Sequence, residues 1–169
     1  PKPSSAASDV YKRQTVNGVL VSGQAEIWGG FGLQANYSYQ DSSTSSVDVT
    51  GTTLNLPYLS KHTVNVIPYF EKGPFQARVS YNYRTSYFRT IGRLGSREMV
   101  APYNQLDASA SLNLLDGVVL SVNAQNLLDE TYRQYNATPD SPTAFYNNGR
   151  TCVSYRHLRA HETSLHLVC

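Results

Sequence analysis

Four arginines fall within a short stretch of the chain: Arg84, Arg89, Arg93 and Arg97. A guanidinium is a planar fork of N–H donors that matches a carboxylate, so such a group suits capture of an anionic ligand. Charged loops are also ordinary on a protein surface, and that reading stays open beside it. Asp129 and Glu130 are adjacent. In a strand they would point to opposite faces and could not act as an acid–base pair, so they read as solvated strand-end charges. His62 is the only histidine between residues 15 and 151; it reads as a strand-start residue at an interface, with a ligand contact as the alternative. His157 and His161 are four apart, a spacing that would suit a metal on a helix, but nothing around them supports a helix and the spacing reads as accidental. No glycine-rich phosphate loop and no nucleophile elbow is present. The residues point to binding rather than bond chemistry: no enzyme, no metal, no cofactor.

The elements that would position these residues lie in the middle of the chain. Residues 1–14 and 152–169 share no pattern with it. Both resemble translated sequencing-adapter read-through, the C-terminal one through the stretch HLRAHET at residues 157–163. They are therefore set apart as non-native tails, with residues 15–151 as the domain. Both cysteines, Cys152 and Cys169, go with them. The whole chain of 169 residues carries a formal charge of +2. Residues 15–151 hold nine basic and ten acidic side chains, so the basicity resides in the ends and a nucleic-acid partner loses its support. The first residue is Pro, so a complete reading frame is not expected.

Charged residues are 15% of the chain, below the roughly 25% of soluble domains. The longest apolar run is three residues, as in Val19-Leu20-Val21. A membrane-spanning helix needs about 20, so none is expected. A barrel remains open, because its signal is alternation. Alternation recurs throughout. Phe31, Leu33, Ala35, Tyr37 and Tyr39 take one face of their segment; Phe75, Ala77, Val79, Tyr81 and Tyr83 do so in the next clear one. Leu106, Ala108, Ala110, Leu112 and Leu114 repeat the pattern, as do Val118, Leu120, Val122 and Ala124. Two weaker segments span Thr15–Trp28 and Lys61–Glu71, the second interrupted by Pro68, which suggests a bulge or strand end. Polar residues such as Arg78, Asn82, Asp107 and Asn123 fill the opposite faces.

Connections alternate in length. Gly29-Gly30, Glu71-Lys72-Gly73 and Asp116-Gly117 are tight; Asp41–Ser60, Thr90–Pro102 and Asn136–Asn148 are long. Short turns on one side and long loops on the other fit an all-β, antiparallel up-and-down meander, part of a transmembrane β-barrel. Aromatics fall near both strand ends: Tyr37, Tyr39, Tyr81, Tyr83, Tyr87 and Phe88 toward the long loops, and Phe31, Tyr69, Phe70 and Phe75 toward the short turns. Two belts, one per interface, are what a membrane selects. A soluble β-sandwich adhesin or carbohydrate-binding module is the alternative, with the apolar faces packed on a second sheet.

Particular stretches go further. Leu56-Pro57-Tyr58-Leu59-Ser60-Lys61-His62-Thr63, then Tyr69 to Phe75, then Arg78 to Arg84, resemble the C-terminal barrel of TonB-dependent receptors. So do Leu106 to Ser111 followed by Asn126-Leu127-Leu128-Asp129-Glu130-Thr131-Tyr132, which resembles the family's segment near the outer end of the penultimate strand. The resemblance covers residues 15–150. It implies a bacterial outer-membrane barrel of which this chain supplies about the last six or seven strands. It implies import of a scarce ligand, such as an iron–siderophore complex, cobalamin or an oligosaccharide. Its partners would be outer-membrane lipid and lipopolysaccharide, the unknown ligand, and the TonB complex through an N-terminal region that this stretch does not contain. Arg84, Arg89, Arg93 and Arg97 become ligand-binding candidates, or lipopolysaccharide contacts. The family's closing strand, ending in an aromatic residue, would be replaced by the tail, so the fragment alone should neither insert nor transport. A passive porin-like barrel is the other membrane alternative.

Overall fold

The computed structural model describes residues 14–92, 95–115, 118–158 and 166–168. Its strands are β1 (Gln14–Trp28), β2 (Phe31–Thr44), β3 (His62–Lys72), β4 (Phe75–Arg84), β5 (Tyr87–Ile91), β6 (Arg97–Val100), β7 (Tyr103–Leu115), β8 (Val118–Gln125), β9 (Tyr132–Asn136), β10 (Pro142–Tyr146), β11 (Thr151–Leu158) and β12 (His166–Val168). Eight form one antiparallel sheet in the order β1-β2-β3-β4-β7-β8-β11-β12, which is open at both edges. The meander read from alternation is therefore present, with two departures from it. The long connections after β4 and β8 are not irregular. They carry β5, β6, β9 and β10, which build a second, four-stranded sheet in the order β10-β9-β6-β5.

Register sorts the side chains into two faces. Val21, Tyr37, Val64 and Tyr83 stand in one cross-strand row; Gly23, Ala35, Val66, Tyr81 and Leu106 stand in the next. Ser22, Asn36, Asn65, Asn82 and Gln105 make the row between them on the opposite face. There the Asn65 amide donates to Asn82 Oδ1. Among the described residues no protein layer covers the apolar face. The buried apolar side chains among the described residues are Leu54, Tyr87, Phe88 and Val100, all in the outer connections, whereas Val19 and Val21 are each 60% exposed. That pattern is the reverse of a sandwich, whose core lies between its sheets.

Aromatics bracket the apolar face. Phe31 lies 4.4 Å from Phe70, and Phe70 lies 5.9 Å from Phe75, ring centre to ring centre. Trp28 pairs with Phe31 and joins this belt. At the other end Tyr37 Oη lies 2.8 Å from His62 Nδ1, and the Tyr39 ring is 5.2 Å from the imidazole. His62 opens β3, where an interfacial residue was expected. From His62 to Phe70 the strand advances about 27 Å, at about 3.4 Å per residue, which suits the apolar thickness of an outer membrane once tilted.

Three expected belt members sit elsewhere. Tyr69 is on the wet face, its ring lying across Gly32, where a Cβ would meet the ring at 2.1 Å. Tyr87 and Phe88 are buried in the second sheet, because that segment turns inward after β4 rather than continuing along it. Pro68 makes neither a bulge nor an end. It sits inside β3, opposite Leu33, and the β3–β4 ladder merely skips Ile67 and Pro68 without changing register. Gly29 and Gly30 both have positive φ (62° and 97°), as a two-residue turn matched to strand twist requires. The Asp116-Gly117 turn lies outside the described residues. Thr151–Leu158, mostly within the segment set apart as a tail, pairs with β8 over its whole length. The edge of β8 offers N–H and C=O groups that any extended segment satisfies, whatever its origin.

The exposed apolar face makes a sharp prediction for a membrane-inserted barrel that contains this sheet. Val66→Arg should cost about 2–4 kcal/mol at mid-bilayer, while Gln34→Arg on the wet face should cost under about 0.5 kcal/mol. Urea unfolding in phospholipid vesicles measures both, and equal costs would remove the membrane assignment of the faces.

Candidate functional site

The outer connections interlock before any site is formed. The β2–β3 loop folds on itself through Thr44 N–H to Leu54 O at 3.1 Å and Leu54 N–H to Ser46 O at 2.9 Å. It then reaches the second sheet, where Tyr58 N–H donates to Phe88 O at 2.8 Å. Strand β6 pairs with β9, so the connections after β4 and β8 share a backbone ladder. Asp48 is the side-chain staple. Thr50 Oγ1, Thr50 N–H and Thr52 N–H donate to its Oδ1 at 2.6, 2.8 and 2.9 Å. Arg97 Nε lies 2.9 Å from its Oδ2. The Thr50 hydroxyl bond, with the Thr52 and Thr50 amides and the Arg97 charge, holds this carboxyl below the usual carboxylate range despite burial.

The four candidate arginines do not act together. Arg97 is tied to Asp48. Arg89 Nη1 donates to Glu98 Oε1 at 2.8 Å and to Gln134 Oε1 at 3.1 Å. Arg93 lies outside the described residues. Arg84 is different: its guanidinium carbon lies 5.2 Å from the Tyr87 ring centre, 5.3 Å from Tyr103 and 5.8 Å from Tyr132. Its Nε is buried and has no hydrogen-bond partner among the described residues. The cage itself is stiff. Tyr87 and Tyr132 hydroxyls lie 3.2 Å apart. Burial, then the bond to Tyr132, pushes the Tyr87 phenol up to about 12, so the ring stays neutral at any physiological pH.

Arg84 lines a cavity of about 520 Å³ at the loop end of the wet face. One wall is the sheet, with Thr63, Arg84 and Tyr103 in a single row and Asn82 and Gln105 in the next. The other is the corner after β8. There Asn126, at φ +54°, is the knot. Its N–H donates to Asp107 Oδ1 at 2.9 Å, its amide donates to Gly149 O at 3.1 Å, and its Oδ1 accepts from Glu130 N–H at 2.9 Å. Asp129 and Glu130 thus lie in a turn, not a strand. Glu130 lines the cavity and takes a bond from Asn104 Nδ2 at 3.4 Å; Asp129, at φ +55°, shapes the turn. Neither Asn126 nor the tyrosine cage was evident from sequence. A buried Asn followed three residues later by Asp, at a strand end, was the available signal for the corner.

Asp48 supplies a pH prediction. Because its folded pKa lies below the unfolded value of about 3.9, the staple contributes fully above that value and is lost as pH falls through the folded one. Protection of the Thr50 and Thr52 amides, as the exchange rate relative to an unstructured amide at the same pH, should be high at pH 5 and fall below about pH 4. Asp48→Asn should show low protection at both; equal protection in the variant would show that the carboxylate holds nothing.

Residues 4–127 match the family described as TonB dependent receptor-like, beta-barrel. The match starts inside the segment 1–14. Among solved structures the chain is similar to the siderophore receptor PiuA from Acinetobacter baumannii, with a TM-score of 0.64 and 20% identity. The likeness covers 87% of this chain and 22% of that one, so the chain spans about a fifth of that receptor's length. At this identity the likeness is one of fold. No curated protein matches the chain. The faces, the belts, the loop-side sheet and a family match over more than half its length converge: this chain belongs to the TonB-dependent receptor β-barrel family.

Proposed function

We propose that the receptor carrying this sequence imports an iron–siderophore complex across the bacterial outer membrane, with energy delivered through the TonB complex. Cobalamin and oligosaccharides are the other ligand classes of such import. The observation that carries the reading is the polar cavity at the loop end of the wet face, where an arginine with an unmatched donor stands among tyrosines and amides. An arginine caged by three rings, with one donor unmatched, suits a ligand that is held in place rather than a solute that only passes. The similar fold of a siderophore receptor supports iron chelates over the other two classes. Ligand would be held between the outer connections and the wet face and released inward when a plug is pulled. Outer-membrane lipid and lipopolysaccharide would cover the apolar face and its rim, where Lys61 pairs with Asp41 at 3.2 Å and stands over Tyr39. The proposal keeps residues 152–169 as foreign, with a native closing strand in the place that β11 occupies.

The test is growth on chelated iron. Cells stripped of their own siderophore receptors and expressing the full-length receptor should grow under iron limitation on some chelates, and only with an intact TonB system. Growth that persists without TonB, or entry of unrelated small solutes, would identify a passive channel instead.

A further inference from the structure

Resting on that reading, we propose that the imported chelate carries a free, singly charged carboxylate that Arg84 takes, together with a hydrogen-bond donor that faces Glu130. Arg89 and Arg97 each have a carboxylate, Glu98 and Asp48. Arg84 has none among the described residues, and its contacts are ring faces. Rings cover a guanidinium from its faces and leave the N–H groups in its plane free to bind a planar, two-oxygen acceptor. A buried donor left without an acceptor is costly, and here the unmatched Nε belongs to a side chain that lines an open cavity. The three rings shield part of the guanidinium from water, which strengthens a charge-assisted bond made there.

Glu130 narrows the class. Its carboxylate lines the same cavity and, among the described residues, is met by one long amide bond, from Asn104. A phosphate or a multiply charged catecholate complex would be repelled there. A ligand with one carboxylate and a hydroxyl or amine would match both side chains, with Asn82, Gln105 and Gln125 completing a wall of amides. The cavity volume, about 520 Å³, is in the range of small-molecule sites.

The test uses the full-length receptor in detergent and two ferric trihydroxamate chelates that differ only in one group, a free carboxylate or its methyl ester. Binding is read by quenching of protein fluorescence. The free acid should bind roughly tenfold tighter than the ester. Arg84→Gln should bring that ratio to about one by weakening the acid more than the ester, whose carbonyl also accepts from the guanidinium. Glu130→Gln should raise the ratio of acid to ester affinity, because both chelates lose the same bond to Glu130 and only the acid is freed from its repulsion. Equal binding of acid and ester by the unaltered receptor would overturn the inference and leave import standing. Equal weakening of both by Arg84→Gln would assign Arg84 a purely structural role. Should Arg84→Gln lose heat-modifiable migration and so fail to assemble, Glu130→Gln decides alone, and an unchanged ratio of acid to ester affinity overturns the inference. If neither chelate binds, the inference is overturned, while growth on other iron chelates leaves the import reading standing.

Discussion

Hydrocarbon contact, the condition in which the barrels of this family exist in the outer membrane, is the constraint from which the rest of this architecture follows. An eight-stranded sheet presents Val19, Val21, Phe31, Val79, Leu120 and Val122 on one face, all well exposed. In water, so large a continuous apolar surface would be an association site or a liability. No second sheet packs on it, and the few buried apolar side chains that are described belong to the outer connections. Lipid tails are the solvent that removes the penalty. The same solvent forbids unpaired backbone groups, so the strands run long and continuous where the bilayer lies. Pro68 within β3 departs from that rule: its missing N–H leaves a gap in one ladder, while the register on both sides is kept by the neighbouring rows.

Outside the bilayer water is available and a different physics takes over. The outer connections build a small core of their own around Val100, Tyr87, Phe88 and Leu54. Their charges are spent on holding one another. Asp48 gathers three donors from its own turn and the Arg97 charge from the next connection. Arg89 bridges Glu98 and Gln134, joining β5 to β6 and β9. These are struts, and their use as struts is what leaves Arg84 as the described arginine of the group with capacity for a ligand. Asn126 closes the corner, its side chain satisfying Gly149 O, Glu130 O and the Glu130 N–H at once.

Much of this was legible in the residues. Period-two alternation located β4, β7 and β8, because each side chain's environment there depends only on which face it occupies. The glycine pair at 29–30 was legible for an equally local reason. What resisted reading was anything made by residues far apart. Arg97 meets Asp48, and Arg89 meets Gln134, across long stretches of chain; no local pattern marks such pairs. The second sheet was hidden because β5, β6, β9 and β10 have at most five residues each, too few for alternation to rise above chance. Tyr87 and Phe88 read as a belt because they follow Tyr83 in the chain; the turn after Arg84 carries them into the loop core.

The cavity and the membrane register are one decision, not two. Tyr83 and Arg84 are neighbours at the end of β4, so they must point to opposite faces. Tyr83 shares the apolar-face row with Val64 and Tyr37, at the aromatic belt; Arg84 shares the wet-face row with Thr63 and Tyr103. The guanidinium therefore sits at the height of the lipid boundary but on the watered side, among rings that lower the local dielectric. A slip of one residue between β3 and β4 would send Arg84 toward lipid and Tyr83 into the cavity. Both outcomes are unfavourable, one by the cost of a charge in hydrocarbon and one by loss of the anion's partner. The alternation that lets the sheet live in a bilayer is thus the same feature that aims its caged cation, and neither can drift without the other.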